Sequence, residues 1–210
     1  AHSGTADIPE YDIDRGVDPS SRLYAWEPFE RLSRCHPAAP LVVYVPVIIA
    51  LLWQSTFSTE MGVAAVVGWT LTGLLTWSLT EYWLHRMLFH LTGVSEGLKL
   101  FHRRIHGIHH EFPNDMTRVV FPPIASLFFA SIFYSLFYAM VGAQLTMPLF
   151  AGFAVGYLWY DMTHWWTHAG KPRSAWGKMV RRHHMTHHFK TPDRRFGVST
   201  PLWDLVFRTL

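Results

Sequence analysis

Ten of the fourteen histidines in this 210-residue chain stand in four groups. They are His85 and His90 in HRMLFH, His106, His109 and His110 in HGIHH, His164 and His168 in HWWTH, and His184, His187 and His188 in HMTHH. Neutral imidazole is the commonest metal ligand, and ten rings are more than one ion can use, so the natural reading is two metal ions. Residues at i, i+3 and i+4 share a helix face, so each of the last three groups is expected to aim its rings at one point. His85 and His90, five apart, need a break or a wound-down helix end near Arg86 to Phe89 to do the same. A lone pair at i and i+4 is usually a surface feature. Four groups between positions 85 and 188 are not, because packed rings would repel below a pKa near roughly 6.5 unless a metal kept them neutral. His102 and His183 adjoin groups but break their spacing and are read as outer or surface residues, while His2 and His36 belong to no group.

All-imidazole ligation suits iron, zinc, copper or nickel, and affinity alone favours zinc over ferrous iron. Neutral rings without a carboxylate compensate little of a metal's charge, which suits binding of O2 or its reduced, anionic forms. An iron pair doing oxygen chemistry on a lipid is the sharp hypothesis. The single cysteine, Cys35, excludes an intramolecular disulfide and any cysteine-based metal centre; it is read as inert, with acylation the alternative role for a cysteine beside a membrane.

Elements that could position these rings follow from composition. Half the chain is hydrophobic and it carries 10 Trp, richer in apolar surface than a soluble domain needs. Charge-free runs at about 38–57 and 61–80 make one helical hairpin, and runs at about 119–142 and 145–160 make a second; each is near the roughly 20 residues that cross a bilayer, the last somewhat shorter. Four transmembrane helices in two hairpins leave the amino-terminal arm 1–37 and the segments 81–118 and 161–210 on one side. Those hold four, five and nine of the 18 Lys and Arg, and the opposite turns hold none. That asymmetry places all four histidine groups in a cytoplasmic helical cap. The fold expected is therefore an all-α integral membrane protein, with 38–210 as the membrane-embedded domain and a dinuclear histidine-ligated site in the cap. The arm is expected to be mostly irregular, with Tyr24, Trp26, Phe29 and Leu32 able to lie in the interface. No signal peptide is legible in AHSGTADIPEYD, and the positive charges form no nucleic-acid patch.

The order HRMLFH, HGIHH, HWWTH, HMTHH resembles the histidine-box signature of the integral-membrane fatty acid hydroxylase and sterol desaturase superfamily. RVVFPP at 118–123, YDMTHWWTH at 160–168 and FGVSTPLWDLVF at 196–207 are similar to its fatty acid 2-hydroxylase branch, whose members hydroxylate carbon 2 of sphingolipid acyl chains. The resemblance covers about Glu81 to the end. It implies that all ten grouped histidines are metal ligands, holding two iron ions with O2 as co-substrate; by affinity alone, zinc is expected to occupy the site in purified protein. It also implies that Tyr160 and Asp161 lie just outside the ligands, Asp161 fixing their orientation. Members often carry a fused cytochrome b5 domain; the 37 residues before the first run lack its haem motif, so a separate donor of cytochrome b5 or ferredoxin type is expected.

The expected activity is O2-dependent hydroxylation of an acyl carbon of a membrane lipid, C-2 of a ceramide-like substrate, in a bacterial inner membrane or endoplasmic reticulum. Phe121, Trp159 and Trp165 are candidates to line the lipid's path. The alternatives are desaturation, hydroxylation of a sterol or carotenoid, and, from another class, a membrane metal transporter. The transporter is disfavoured because transporter sites lie within spans, whereas these histidines lie at span ends and beyond.

Overall fold

The computed structural model describes residues 21–90 and 95–210, and among them there is helix and loop but no strand. Most of the arm, 1–20, lies outside the described residues. A short helix α1 (Glu27–Ser33) precedes α2 (Ala39–Phe57), which contains Pro46, and α3 (Val63–Trp83) follows. These long helices keep their polar side chains within themselves. The hydroxyls of Ser55, Thr56, Thr70, Thr72, Thr76 and Thr80 each donate to the carbonyl four residues back, the internal satisfaction that a lipid environment demands.

The third and fourth expected runs both fall in α6 (Pro123–Ala169), which opens on Pro123 and is broken at Gly142 (φ 77°, ψ 172°). The break reverses the chain. Phe133 and Phe153 have ring centroids 4.8 Å apart, whereas a straight helix would separate them by about 30 Å. Gly142 is needed here because its φ is one that side chains with a Cβ rarely adopt. Three helices are long and apolar enough to cross a membrane: α2, α3 with its extension to Phe89, and α6. Their large apolar side chains face outward, among them Val42, Trp53, Phe57, Leu75 and Phe128, which is the distribution expected where lipid replaces water.

The core between α3 and α6 is built on backbone contact at glycines. A Cβ on Gly73 would meet Leu149 O at 1.9 Å, and one on Gly152 would meet Thr70 O at 1.8 Å. Beside them Trp77 packs edge-on against Phe153 and Tyr157, at 5.0 and 5.4 Å between centroids.

The remaining elements gather at one end. They are α4 (Glu96–His102), α5 (Ile108–Glu111), α7 (Ala175–Phe189) and α8 (Leu202–Val206). The described part of the arm is pinned to them. Arg118, on the segment between α5 and α6, donates to Glu30 and also to Ser33 Oγ and Ser21 O, and Arg34 pairs with both Glu30 and Asp115. Truncating either side of such a cluster would strand a buried charge, so it fixes where the arm sits. Cys35 is buried in the same region, its thiol pushed up to about 12, chiefly by burial and further by Asp161; a reactive thiolate is excluded.

Candidate metal centre

Each histidine group depends on local backbone geometry that spacing alone only partly conveys. From Leu84 to Phe89 the chain winds as a π-helix, with His90 N donating to His85 O at 3.1 Å. This wider turn returns residue i+5 to the face of residue i, so the five-residue spacing closes, and the His85 and His90 Nε2 atoms stand 3.2 Å apart. A second π-helical turn, Arg103–Gly107, leads into HGIHH. The last pair, HWWTH, rides on the end of α6, and HMTHH on α7.

All ten grouped histidines converge, but as two sets of five that cut across the sequence groups. One set is His85, His90, His106, His110 and His187, and the other is His109, His164, His168, His184 and His188. The expectation that each group serves one point holds for His85 with His90 and for His164 with His168, and is corrected for HGIHH and HMTHH, which each divide between the sets. Residues i and i+4 are about 40° apart around a helix and stay together, as do His106 with His110 and His184 with His188. Adjacent residues are about 100° apart, which sends His109 and His187 to the opposite set from His110 and His188. His102 and His183 enter neither set; His36 caps the Ala38 amide.

Within the first set neighbouring Nε2 atoms are separated by 3.0 Å (His187–His90), 3.1 Å (His85–His106) and 3.0 Å (His106–His110). In the second the separations are 2.9 Å (His109–His164), 3.1 Å (His109–His188), 3.1 Å (His184–His188) and 2.9 Å (His168–His184). With metal–nitrogen bonds of about 2.1 Å, ligands at right angles lie about 3.0 Å apart and tetrahedral ligands about 3.4 Å. These separations are those of nitrogen atoms that could share one ion, and each set offers five of them. His85 and His187 donate from Nδ1 to the carbonyls of Phe196 (2.5 Å) and Arg194 (2.6 Å), which leaves each Nε2 a bare lone pair. The donor set therefore fits metal ions. The sets adjoin, since the rings of His110 and His188 stack at 4.0 Å.

Burial first, and then mutual repulsion, holds these rings neutral. His90 is lowered to about 3 and His188 to about 2, and His106, His109, His110 and His184 lie well below the usual value. His187 is lowered to about 4, the Arg194 carbonyl partly opposing burial. Folded values below the unfolded value of about 6.5 mean that the unfolded chain takes up protons first. The stability these rings contribute is complete above about pH 6.5 and is lost progressively as pH falls toward the folded values. Thermal unfolding midpoints measured from about pH 7.5 to 4.5 are expected to fall steadily below about 6.5; a flat profile would contradict the buried-neutral state.

Two apolar cavities with lining residues in common lie beside the sets. A cleft of about 1760 Å³, open mouth included, runs between the arm (Tyr24, Phe29) and the start of α6 (Ile124, Phe128), with His106 and His164, one from each set, on its wall. A second cavity, about 620 Å³ with its open mouth included, enters the helix bundle between Trp77, Phe133 and Tyr157. Both are lined by Phe89, Phe121, Phe129 and Tyr160, so the two share a wall. Phe121 lines both cavities, whereas Trp159 faces outward and Trp165 lines neither. Tyr160 stacks on His164 at 5.8 Å. Asp161 behaves differently from its expected role: it accepts from Phe121 N and Tyr157 Oη rather than from a histidine, and so holds the cavity wall.

Carboxylates that do bear on the ligands were missed from the sequence. Glu81 and Asp204, both fully buried, bind the main chain of 196–199, and His183 donates to Asp204 at 3.0 Å. The only sequence signal was an acid closing an apolar run directly before HRMLFH, and an acid within FGVSTPLWD.

Comparison with known proteins agrees with this architecture. Residues 70–209 match the family model described as fatty acid hydroxylase. The fatty acid 2-hydroxylase of Macaca fascicularis is 34% identical over 96% of this chain, which spans 60% of that relative's length. The dihydroceramide fatty acyl 2-hydroxylase FAH1 of Arabidopsis thaliana is 35% identical over 80% of this chain and 71% of its own. Among solved structures, full-length scs7p, of which only the hydroxylase domain is visible, superposes with a TM-score of 0.81 at 30% identity, covering 86% of this chain and 69% of that one. With ten histidines in two five-membered sets beside an apolar cleft, and with this match over two thirds of its length, the chain belongs to the fatty acid hydroxylase family.

Proposed function

We propose that this protein is an O2-dependent di-iron hydroxylase that adds a hydroxyl group to C-2 of a fatty acyl chain in a ceramide-like membrane lipid. The observation that carries the reading is the apolar cleft that has His106 and His164, one ring from each set, on its wall. Relatives named for 2-hydroxylation of fatty acids and of dihydroceramide acyl chains support the substrate class. The ligands would be the ten grouped histidines, five to each ion. Bound iron would supply the reduction of O2 and the oxidation of the C–H bond, with electrons from a separate donor of cytochrome b5 or ferredoxin type. The chain's own residues bind and orient the lipid. Phe89, Phe121 and Phe129, which line both cavities, exclude water beside the sets, and Tyr160 covers one face of His164. A C–H bond held there is positioned against the histidine sets, and positioning is the larger part of what a protein contributes when a metal does the difficult chemistry. Iron-loaded protein given a chemical reductant, ceramide and isotopically heavy O2 is expected to give product labelled at C-2. Loss of two hydrogens without label would reassign the reaction to desaturation.

The reading includes four spans, the two arms of α6 being separate crossings, and a cytoplasmic cap. The Gly142 reversal and the absence of Lys and Arg from the turns near 58–60 and 143–144 support it. Cysteines introduced at Ser58 and Gln144 are expected to label from outside intact cells. Labelling of a cysteine at Ser174 from that side would overturn the orientation.

A further inference from the structure

The loop from Arg194 to Thr200 touches no lipid cavity, yet it supplies the two main-chain acceptors of the first histidine set: Arg194 O to His187 and Phe196 O to His85. Four consecutive amides of that loop end on two buried carboxylates. Phe196 N and Gly197 N donate to Asp204 at 2.9 and 2.8 Å, and Val198 N and Ser199 N both donate to Glu81 Oε1 at 2.8 Å. The Ser199 hydroxyl donates to the other Glu81 oxygen. Asp204 also takes Thr209 Oγ1 and His183 Nε2, which ties the loop to α7 one residue from His184 and four from His187.

The loop has no slack. A Cβ on Gly197 would lie 2.1 Å from Thr200 O and 2.9 Å from Asp204 Oδ2. Arg195 sits at φ 62° with its amide on Thr209 O, a conformation that a residue with a Cβ keeps only where its surroundings hold it. Buried anionic acceptors for successive amides are strong hydrogen bonds, and removing one leaves buried donors unpaired.

We infer that Glu81 and Asp204 are positioning residues which, through the Arg194–Thr200 loop, hold the imidazoles of His85 and His187 in the tautomer and orientation that bind a metal. The inference rests on the two-metal reading above and gives its sites unequal dependence on the loop. Only the set of His85, His90, His106, His110 and His187 receives the loop carbonyls. Disturbing either carboxylate therefore weakens one ion and spares the other.

The test uses the full chain in detergent, loaded with zinc alone, with zinc content and release to a chelator followed for wild type, Glu81→Gln and Asp204→Asn. An amide in place of the carboxylate keeps the shape but turns one acceptor into a donor facing loop donors. Wild type is expected to hold two zinc ions. In each variant one of the two should leave roughly 10 to 100-fold faster, as for other groups that orient ligands, and the other at the wild-type rate. His187→Ala should remove that same ion, and adding Asp204→Asn to it should cause no further loss. If either carboxylate variant fails to accumulate, Ser199→Ala, which deletes one hydrogen bond to Glu81, is expected to speed release of the same ion several-fold. Two ions released at wild-type rates, or equal acceleration of both, overturns the positioning role while leaving the two-metal reading intact. A folded wild type that binds fewer than two ions overturns both.

Discussion

Replacing His109 or His187 by alanine is expected to lower product formation by more than about 100-fold, beyond the 10 to 100-fold typical of groups that only orient ligands. The two substitutions strike different sets: His109 is one of five rings in the second and His187 one of five in the first. Metal analysis should accordingly show each variant losing the ion of its own set. Both side chains are buried, and the missing ring leaves a gap that the four remaining rings, held by their helices, cannot close. His102→Ala is the matched control. Its ring belongs to neither set, and the variant is expected to retain both metals and most of the activity. If His102→Ala proved as damaging to metal content as His109→Ala, the division of the HGIHH region would have to be redrawn.

Substituting Gly152 by leucine is expected to prevent accumulation of folded protein, a loss of more than about 4 kcal/mol, in the range reserved for severe core disruption. A Cβ there would sit 1.8 Å from Thr70 O, and backbone of α3 cannot move aside without displacing Trp77 and Phe153 behind it. Gly68→Leu, on the outer face of α3 where a Cβ meets nothing within 4 Å, is expected to fold normally. Size-exclusion profiles of the two variants in detergent provide the comparison. Close approach at small residues is how helices associate where lipid removes any hydrophobic drive between them, and Gly152 and Gly156 stand four apart against Thr70 and Trp77.

Much of this site was legible before any coordinates. Residue type and spacing named all ten histidines that converge, and the His85/His90 spacing forecast a distorted helix end, which the structure supplies as a π-helical turn. Which ring joins which set was not legible. It depends on where α3, α5, α6 and α7 stand around a common centre, and a rule about one helix face cannot separate His109 from His110. Glu81 and Asp204 escaped for a related reason: their partners are loop amides 117 and 7 residues away, and amides carry no sequence signature. The paired glycine contacts of α3 and α6 went unread because small residues four apart are common by chance in apolar helices. The reversal in α6 was legible in outline, as a short turn between two apolar runs, but its reduction to a single residue, Gly142, reflects a backbone conformation that only coordinates reveal.

The most direct measurement of the central claim is acyl-chain mass spectrometry of lipids from a host expressing the wild type, set against the same host expressing His109→Ala. The account predicts ceramide-type lipids heavier by one oxygen atom, with fragmentation placing the hydroxyl at C-2, in the wild type and not in the variant. Identical lipids from the two strains, or a wild-type product lighter by two hydrogens, would contradict it.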